Sequence, residues 1–223
     1  MTDAELEELL SDCPTLYHMA AAGSWPLIRT HGLLSTTALL DLCGVTGTAR
    51  DAIESTRRPE NVTIPFATKE RVVIRDNKPM DDRGLDRCLL DGLTPTDWYR
   101  LLNARVFFWL TKERLLRLLS AGAYANSEHD VLELDSRALV SKWREAITLS
   151  PINSGCTKPY PHPRGLATFQ SIAEYPYAHW RARRKRGERV VELAVSNGVV
   201  PVRPFVRRVV RMRKDIELTQ LKL

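Results

Sequence analysis

Nowhere in this chain do 18 apolar residues follow one another, which excludes a helix that spans a bilayer by itself. Cysteine is scarce. Cys13, Cys43, Cys88 and Cys156 stand far apart with no C-x-x-C pair, which argues against a zinc site and against a disulfide framework. Glycine-rich phosphate loops are missing: neither G-x-G-x-x-G nor a Walker pattern occurs, arguing against Rossmann and P-loop folds. No internal repeat is visible. The opening, MTDAELEELLSDC, is acidic and amphipathic, the reverse of a secretory leader. A reduced, cytoplasmic protein with no membrane partner is therefore expected.

What is present suffices for a core: 223 residues, 43% hydrophobic, one large domain or two small ones. The formal charge of +6 and pI near 9.3 favour anionic partners, weakly. Residues 1–14 form an N-terminal helix, with Leu6, Leu9 and Leu10 on one side and Pro14 ending it. Thr15 to Met19 reads as a short strand. Ser24 is a plausible cap for a helix over 25–31 that Gly32 stops, and Ser35 caps another through Leu42. Residues 44–70 are polar, with TRRPEN as a loop, and RVVIRD at 71–76 reads as a strand. Thr94, Pro95 and Asp97 spell a capping box before a helix ending near Asn103. Val106 to Leu110 has strand length and composition, and Thr111 starts a helix through Leu119. DVLELDSRALV gives a strand and a short helix. Residues 150–165 hold four prolines and two glycines and read as a long irregular loop, a common place for function. RVVELAV at 189–195 alternates as a half-exposed strand around Glu192, and VRPFVRRVVRMR fits a last strand or a helix. Helices and strands mix without a βαβ period, so a single α+β domain is expected.

Three features stand out, in order: Tyr17-His18, the Phe107-Phe108-Trp109 run, and Glu192, each in an expected strand. With LYHMAAAGSWPLIRTHGLLS, IRDNKP, LNARVFFWL and VVELAV as landmarks, residues 15 to about 210 resemble the ADP-ribosyltransferase superfamily. The likeness is to its His, aromatic, Glu branch, above all to toxins that modify DNA and to bacterial relatives. The resemblance implies an ADP-ribosyltransferase-like domain over residues 15–215, with split mixed β-sheets around an NAD cleft.

The resemblance also implies an activity: NAD-dependent mono-ADP-ribosyl transfer, as a toxin or defence effector, with NAD as substrate and no metal. Breaking the bond between nicotinamide and ribose makes the ribose oxocarbenium-like, and a carboxylate stabilises that charge. Glu192 takes this role and His18 anchors the ribose hydroxyls. Tyr17, Met19, Phe107, Phe108 and Trp109 line the cofactor site, with Phe108 the ring expected to stack on nicotinamide. Arg75 is expected on the NAD pyrophosphate, and Thr168 supplies a hydroxyl. Val190 stands where arginine-modifying relatives carry an acid or amide two residues before the Glu, which argues against arginine as acceptor.

Residues 179–189 carry six Lys or Arg against one acid, and residues 203–214 six more. Such runs usually make a solvated face. Beside Glu192 they also suit nucleic acid as acceptor, through Arg181, Arg183, Arg184, Lys185 and Arg186, with Tyr175, Tyr177 and Trp180 to stack on bases. A protein acceptor and a possible antitoxin partner stay open. Two alternatives remain: an RNA 2′-phosphotransferase, which has a similar Tyr-His opening but lacks the late Glu, and an inactive nucleotide-binding protein of the same fold.

Overall fold

Thr2 starts the first helix by a reciprocal cap. Its hydroxyl accepts from the Glu5 N–H (3.2 Å) and the Glu5 carboxylate accepts from the Thr2 N–H (3.0 Å). The computed structural model describes residues 1–67 and 70–223. Helix α1 (Asp3–Asp12) lays Leu6, Leu9 and Leu10 into the main core, and strand β1 (Thr15–Ala21) follows. Before α2 (Trp25–His31) the expected Ser24 cap is not made by its side chain. The buried Asp130 carboxylate accepts from the Gly23 and Trp25 N–H groups instead (2.9 and 3.2 Å). Gly32 ends α2 at φ +91°, where a Cβ would meet a Val200 methyl at 2.5 Å. Then come β2 (Leu33–Leu34) and α3 (Thr36–Leu42), capped by the Ser35 hydroxyl as expected.

Residues 44–70 are more structured than their polarity suggests. They hold α4 (Gly47–Glu54) and β3 (Val62–Phe66), which pairs with β4 (Glu70–Ile74) in a separate hairpin. Thr68 and Lys69 lie outside the described residues. The hairpin folds because Ile64 and Ile74 bury against Leu40 in a small core of their own. That periodicity spans three elements and shows in none of them alone.

Next are α5 (Asp82–Asp86), α6 (Pro95–Asn103) with the Thr94–Asp97 capping box in place, and β5 (Arg105–Trp109). Helix α7 (Lys112–Leu119) is capped by Thr111 and leads to β6 (His129–Asp135). Asp135 caps α8 (Ser136–Trp143), which precedes β7 (Ile147–Ser150). After the long loop come β8 (Gln170–Ser171), α9 (Tyr177–Arg181), β9 (Glu192–Ser196) and β10 (Gly198–Val199). The tail resolves as strands, β11 (Val206–Arg213) and β12 (Ile216–Gln220).

Eight strands form one sheet in the order β12-β11-β6-β1-β5-β9-β7-β8. Every ladder between the named strands is antiparallel, so the expected mixed sheets are corrected to antiparallel ones. The fold is a single α+β domain. Leu16, Phe108, Leu132, Leu149, Leu193 and Val209 meet α1 and α8 in the main core. Strand β9 is buried from Glu192 to Val195, not half-exposed, because both of its faces are covered. Among the described residues no helix is long and apolar enough to cross a membrane.

Candidate functional site

Strand β1 pairs with β6 along its whole length, from Thr15 opposite Asp135 to Ala21 opposite His129. With β5 it pairs only at Tyr17 opposite Trp109. Beyond that point the two strands part, and their ladder groups need other partners. The His18 imidazole crosses the opening, its Nδ1 2.9 Å from the Phe107 carbonyl oxygen. Arg75 enters beside it and donates from Nη1 to the Met19 carbonyl (3.1 Å). A cavity of about 340 Å³ lies at this split, with His18, Arg75, Phe107, Trp109, Ser154 and Glu192 in its wall.

A carbonyl only accepts, so His18 Nδ1 carries the proton and Nε2 is left as an acceptor. Burial lowers the imidazole to about 4, so the ring is neutral at pH 7. Glu192 is the opposite case. It is 4% exposed, and burial raises its carboxyl to about 7 against the pull of two hydrogen bonds. Both come from Ser154, whose N–H (3.1 Å) and hydroxyl (2.6 Å) donate to the same oxygen, Oε2. A half-buried base that stays neutral and a buried acid poised near neutrality on one cavity form a constellation expected of functional sites.

The sheet register sets which side chains flank Glu192, whereas His18, next to Tyr17, alternates to the Phe108 side (ring centroids 5.8 Å apart) and borders the cavity where β1 and β5 part. Tyr17 opposes Trp109, Trp109 opposes Glu192, and Glu192 opposes Ser150, so these side chains share one face across four adjacent strands. Trp109 and Phe107 therefore face the Glu192 side. Phe108 alternates to the other face and lies 1% exposed in the main core, so it is corrected from stacking ring to core residue. Tyr17 packs beside Met19 over α7 and is not in the cavity wall, whereas Met19 is. Thr168 is buried in the loop, its hydroxyl accepting from the Gly165 N–H (2.9 Å), and does not reach the cavity.

Three further arginines, Arg58, Arg71 and Arg105, line the cavity with Arg75. Arg58 is buried, bonded to the Arg75 carbonyl (3.1 Å) and to Asn103 Oδ1 (2.9 Å), and burial lowers it to about 10. Arg105 donates to the Leu101 carbonyl (2.6 Å) and stacks on Phe169 at 4.6 Å. Arg75 lies over the Tyr124 ring at 4.9 Å. Among the described residues Arg75 and Arg105 have no carboxylate partner, and guanidiniums held by carbonyls and rings keep their charge available to an anion.

The basic run beside β9 is largely engaged. Arg181 pairs with Glu8 (3.0 Å), Arg186 with Asp12 (2.5 Å), and Arg189 with Glu8 and Asp12, all on α1. Arg184 caps the Trp180 ring at 4.0 Å and donates to the Pro151 carbonyl. Among the described residues, Arg183 and Lys185 make no ion pair. Tyr175 and Tyr177 are core residues at 1% and 0% exposure, so their expected role as stacking faces is corrected.

Sequence reasoning missed Ser154, Arg58 and Arg105. Ser154 sits in the proline-rich loop that the sequence marks as long and irregular. Arg58 falls in the stretch read as a polar loop, and Arg105 at the edge of an apolar run, so neither carries a local signal.

The model of a family of unknown function (DUF7002) matches residues 14–206, a span that holds every cavity residue named above and leaves α1 outside. No curated protein and no solved structure matches the chain.

Proposed function

We propose that this chain, which belongs to the family of unknown function DUF7002, is an NAD-dependent mono-ADP-ribosyltransferase. The observation that carries the reading is the arrangement of His18, Trp109 and Glu192. They come from three neighbouring strands and border one cavity at the split between β1 and β5. The chemistry assigned to them needs such an arrangement. As the bond from nicotinamide to ribose breaks, its electron pair leaves with nicotinamide and positive charge grows on the ribose. The Glu192 carboxylate stabilises that charge, and the charge in turn favours the ionised carboxylate. His18 Nε2, neutral and unprotonated, accepts from a ribose hydroxyl. Trp109, or Phe107 beside it, offers a flat face to the nicotinamide ring. Arg75 and Arg105, with Arg58 behind, suit the diphosphate.

The acceptor nucleophile then bonds to the ribose carbon, and its proton passes to Glu192 or to solvent. Within this reading the acceptor is a nucleic-acid base or a protein group, the effector acts in the cytoplasm, and an antitoxin is a possible partner. A second reading, RNA 2′-phosphotransfer, draws on the cavity arginines, which suit a phosphomonoester equally well. Glu192 favours the first.

Incubation with adenine-labelled NAD and separate DNA, RNA and protein pools tests the choice. Label on one pool that disappears with Glu192→Gln supports transfer. No labelled pool, with a 2′-phosphate lost from RNA, nicotinamide released and the label recovered on a small phosphorylated ADP-ribose, overturns it in favour of the second reading.

A further inference from the structure

Ser154 places two donors on one oxygen of Glu192, and its own position is fixed from behind. Its carbonyl accepts from Arg164 Nη1 (2.8 Å) and from the Trp98 indole N–H (3.3 Å). Arg164 is 1% exposed and spends its guanidinium on the loop it belongs to: Nε donates to the His162 carbonyl (3.0 Å) and Nη2 to the Cys156 carbonyl (2.8 Å). The backbone of Arg164 is locked in turn, its N–H donating to Cys88 and its carbonyl accepting from Leu90 (both 2.9 Å). The start of the loop is tied as well, because the Val191 N–H donates to the Ser150 carbonyl (2.9 Å) one residue before Glu192. A buried arginine without a carboxylate partner among the described residues is costly, so the use of all three guanidinium nitrogens on one loop marks a built structure.

We propose that Ser154 and Arg164 are positioning residues for Glu192, with the 150–165 loop acting as a clamp that occupies Oε2 and leaves Oε1 for the ligand. Oε1 accepts no hydrogen bond from a described residue, and Glu192 lies in the cavity wall. A carboxylate held by one oxygen points the other in a fixed direction, which is the preorganisation that stabilising a developing charge requires. The catalytic meaning of the clamp rests on the proposed transferase reading. The clamp itself does not.

The test follows the Glu192 carboxyl directly, by carbon-13 NMR of glutamate-labelled protein, with the Glu192 signal assigned by its loss in Glu192→Gln. Ser154→Ala removes one of two donors to the ionised form, so the titration midpoint moves upward by about one unit. Ser154→Cys, close in size with a weaker donor, moves it the same way by less and serves if the alanine variant does not fold. Arg164→Lys abandons two of the three carbonyls and moves it upward too, while a merely structural Arg164 lowers thermal stability and leaves the midpoint in place. An unmoved midpoint in both Ser154 variants overturns the clamp whatever the protein's activity. A shifted midpoint in a wild-type protein that releases no nicotinamide from NAD upholds the clamp and removes the transferase reading. If nicotinamide is released, Ser154→Ala lowers kcat with KM within about twofold, the pattern of an interaction used in the transition state. A change confined to KM overturns the positioning role.

Discussion

Trp109 stands directly opposite Glu192 across the β5–β9 ladder, so indole and carboxylate share one face at the point where β1 leaves β5. That pairing separates two neighbouring rings by function. Trp109→Ala removes a stacking face worth ~1 kcal/mol and weakens NAD binding about fivefold, and it also loses packing against Met19 and α7, which lowers thermal stability. Phe108→Leu opens a gap in the core, costs roughly 1–2 kcal/mol and leaves NAD affinity intact. Calorimetric titration with NAD beside thermal melts reads both effects. Equal loss of affinity in both variants contradicts the assignment of faces.

Glu192 ties stability to pH. Its folded carboxyl lies near 7, above the ordinary 4.5. Between those values the folded state binds a proton that the unfolded state has released, so this group makes stability fall as pH rises. His18, lowered from 6.5 to about 4, acts in the opposite sense between those two values and offsets part of the slope. Above about 6.5 the Glu192 contribution stands alone. Glu192→Gln keeps an oxygen for Ser154 and cannot ionise. Its melting temperature therefore matches wild type near pH 4.5 and exceeds it increasingly up to about pH 7, then holds a constant margin of up to ~3 kcal/mol. A margin that does not change with pH shows the carboxyl to be unperturbed.

The cavity arginines make a graded prediction. Arg105→Gln keeps the stem that packs on Phe169 and loses the charge. It is expected to weaken binding of ADP-ribose by about 10- to 100-fold, the worth of a hydrogen bond between charged groups. It leaves free nicotinamide binding unchanged, because nicotinamide carries no phosphate. Equilibrium dialysis with the two ligands compares them. Equal weakening of both places Arg105 in the folding of the site and not on the phosphates.

Local signals carried the elements well where caps, prolines and glycines punctuate the chain: Thr94 with Asp97, Ser35, Thr111 and Gly32 stand where the sequence puts them. The strands that carry His18, the aromatic run and Glu192 are neighbours in the sheet, in the order in which the chain presents them. What escaped depends on contacts between distant segments. Ser24 lost its capping role to Asp130, 106 positions along, and Phe108 lost the ligand face because register with Glu192 selects Trp109. Ser154 reaches Glu192 from a loop whose course is dictated by a buried arginine, and no periodicity encodes that.

The acidic helix α1 sets how much of the basic run is free for nucleic acid. Glu8 and Asp12 hold Arg181, Arg186 and Arg189, and α1 lies outside the span that the family model matches. With those three engaged, Arg183 and Lys185 are the cations of the run left to meet phosphate, and any binding to single-stranded DNA is expected to be weak with a shallow salt dependence. Asp12→Asn releases Arg186 and one of the two acids on Arg189. Each phosphate newly contacted steepens the slope of log affinity against log salt by about 0.7. Fluorescence anisotropy with a labelled oligonucleotide at several salt concentrations is therefore expected to show a steeper slope and tighter low-salt binding for Asp12→Asn, and a shallower slope for Arg183→Ala with Lys185→Ala. If the slope is the same in all three proteins, this face does not track a phosphate backbone, and a protein becomes the favoured acceptor.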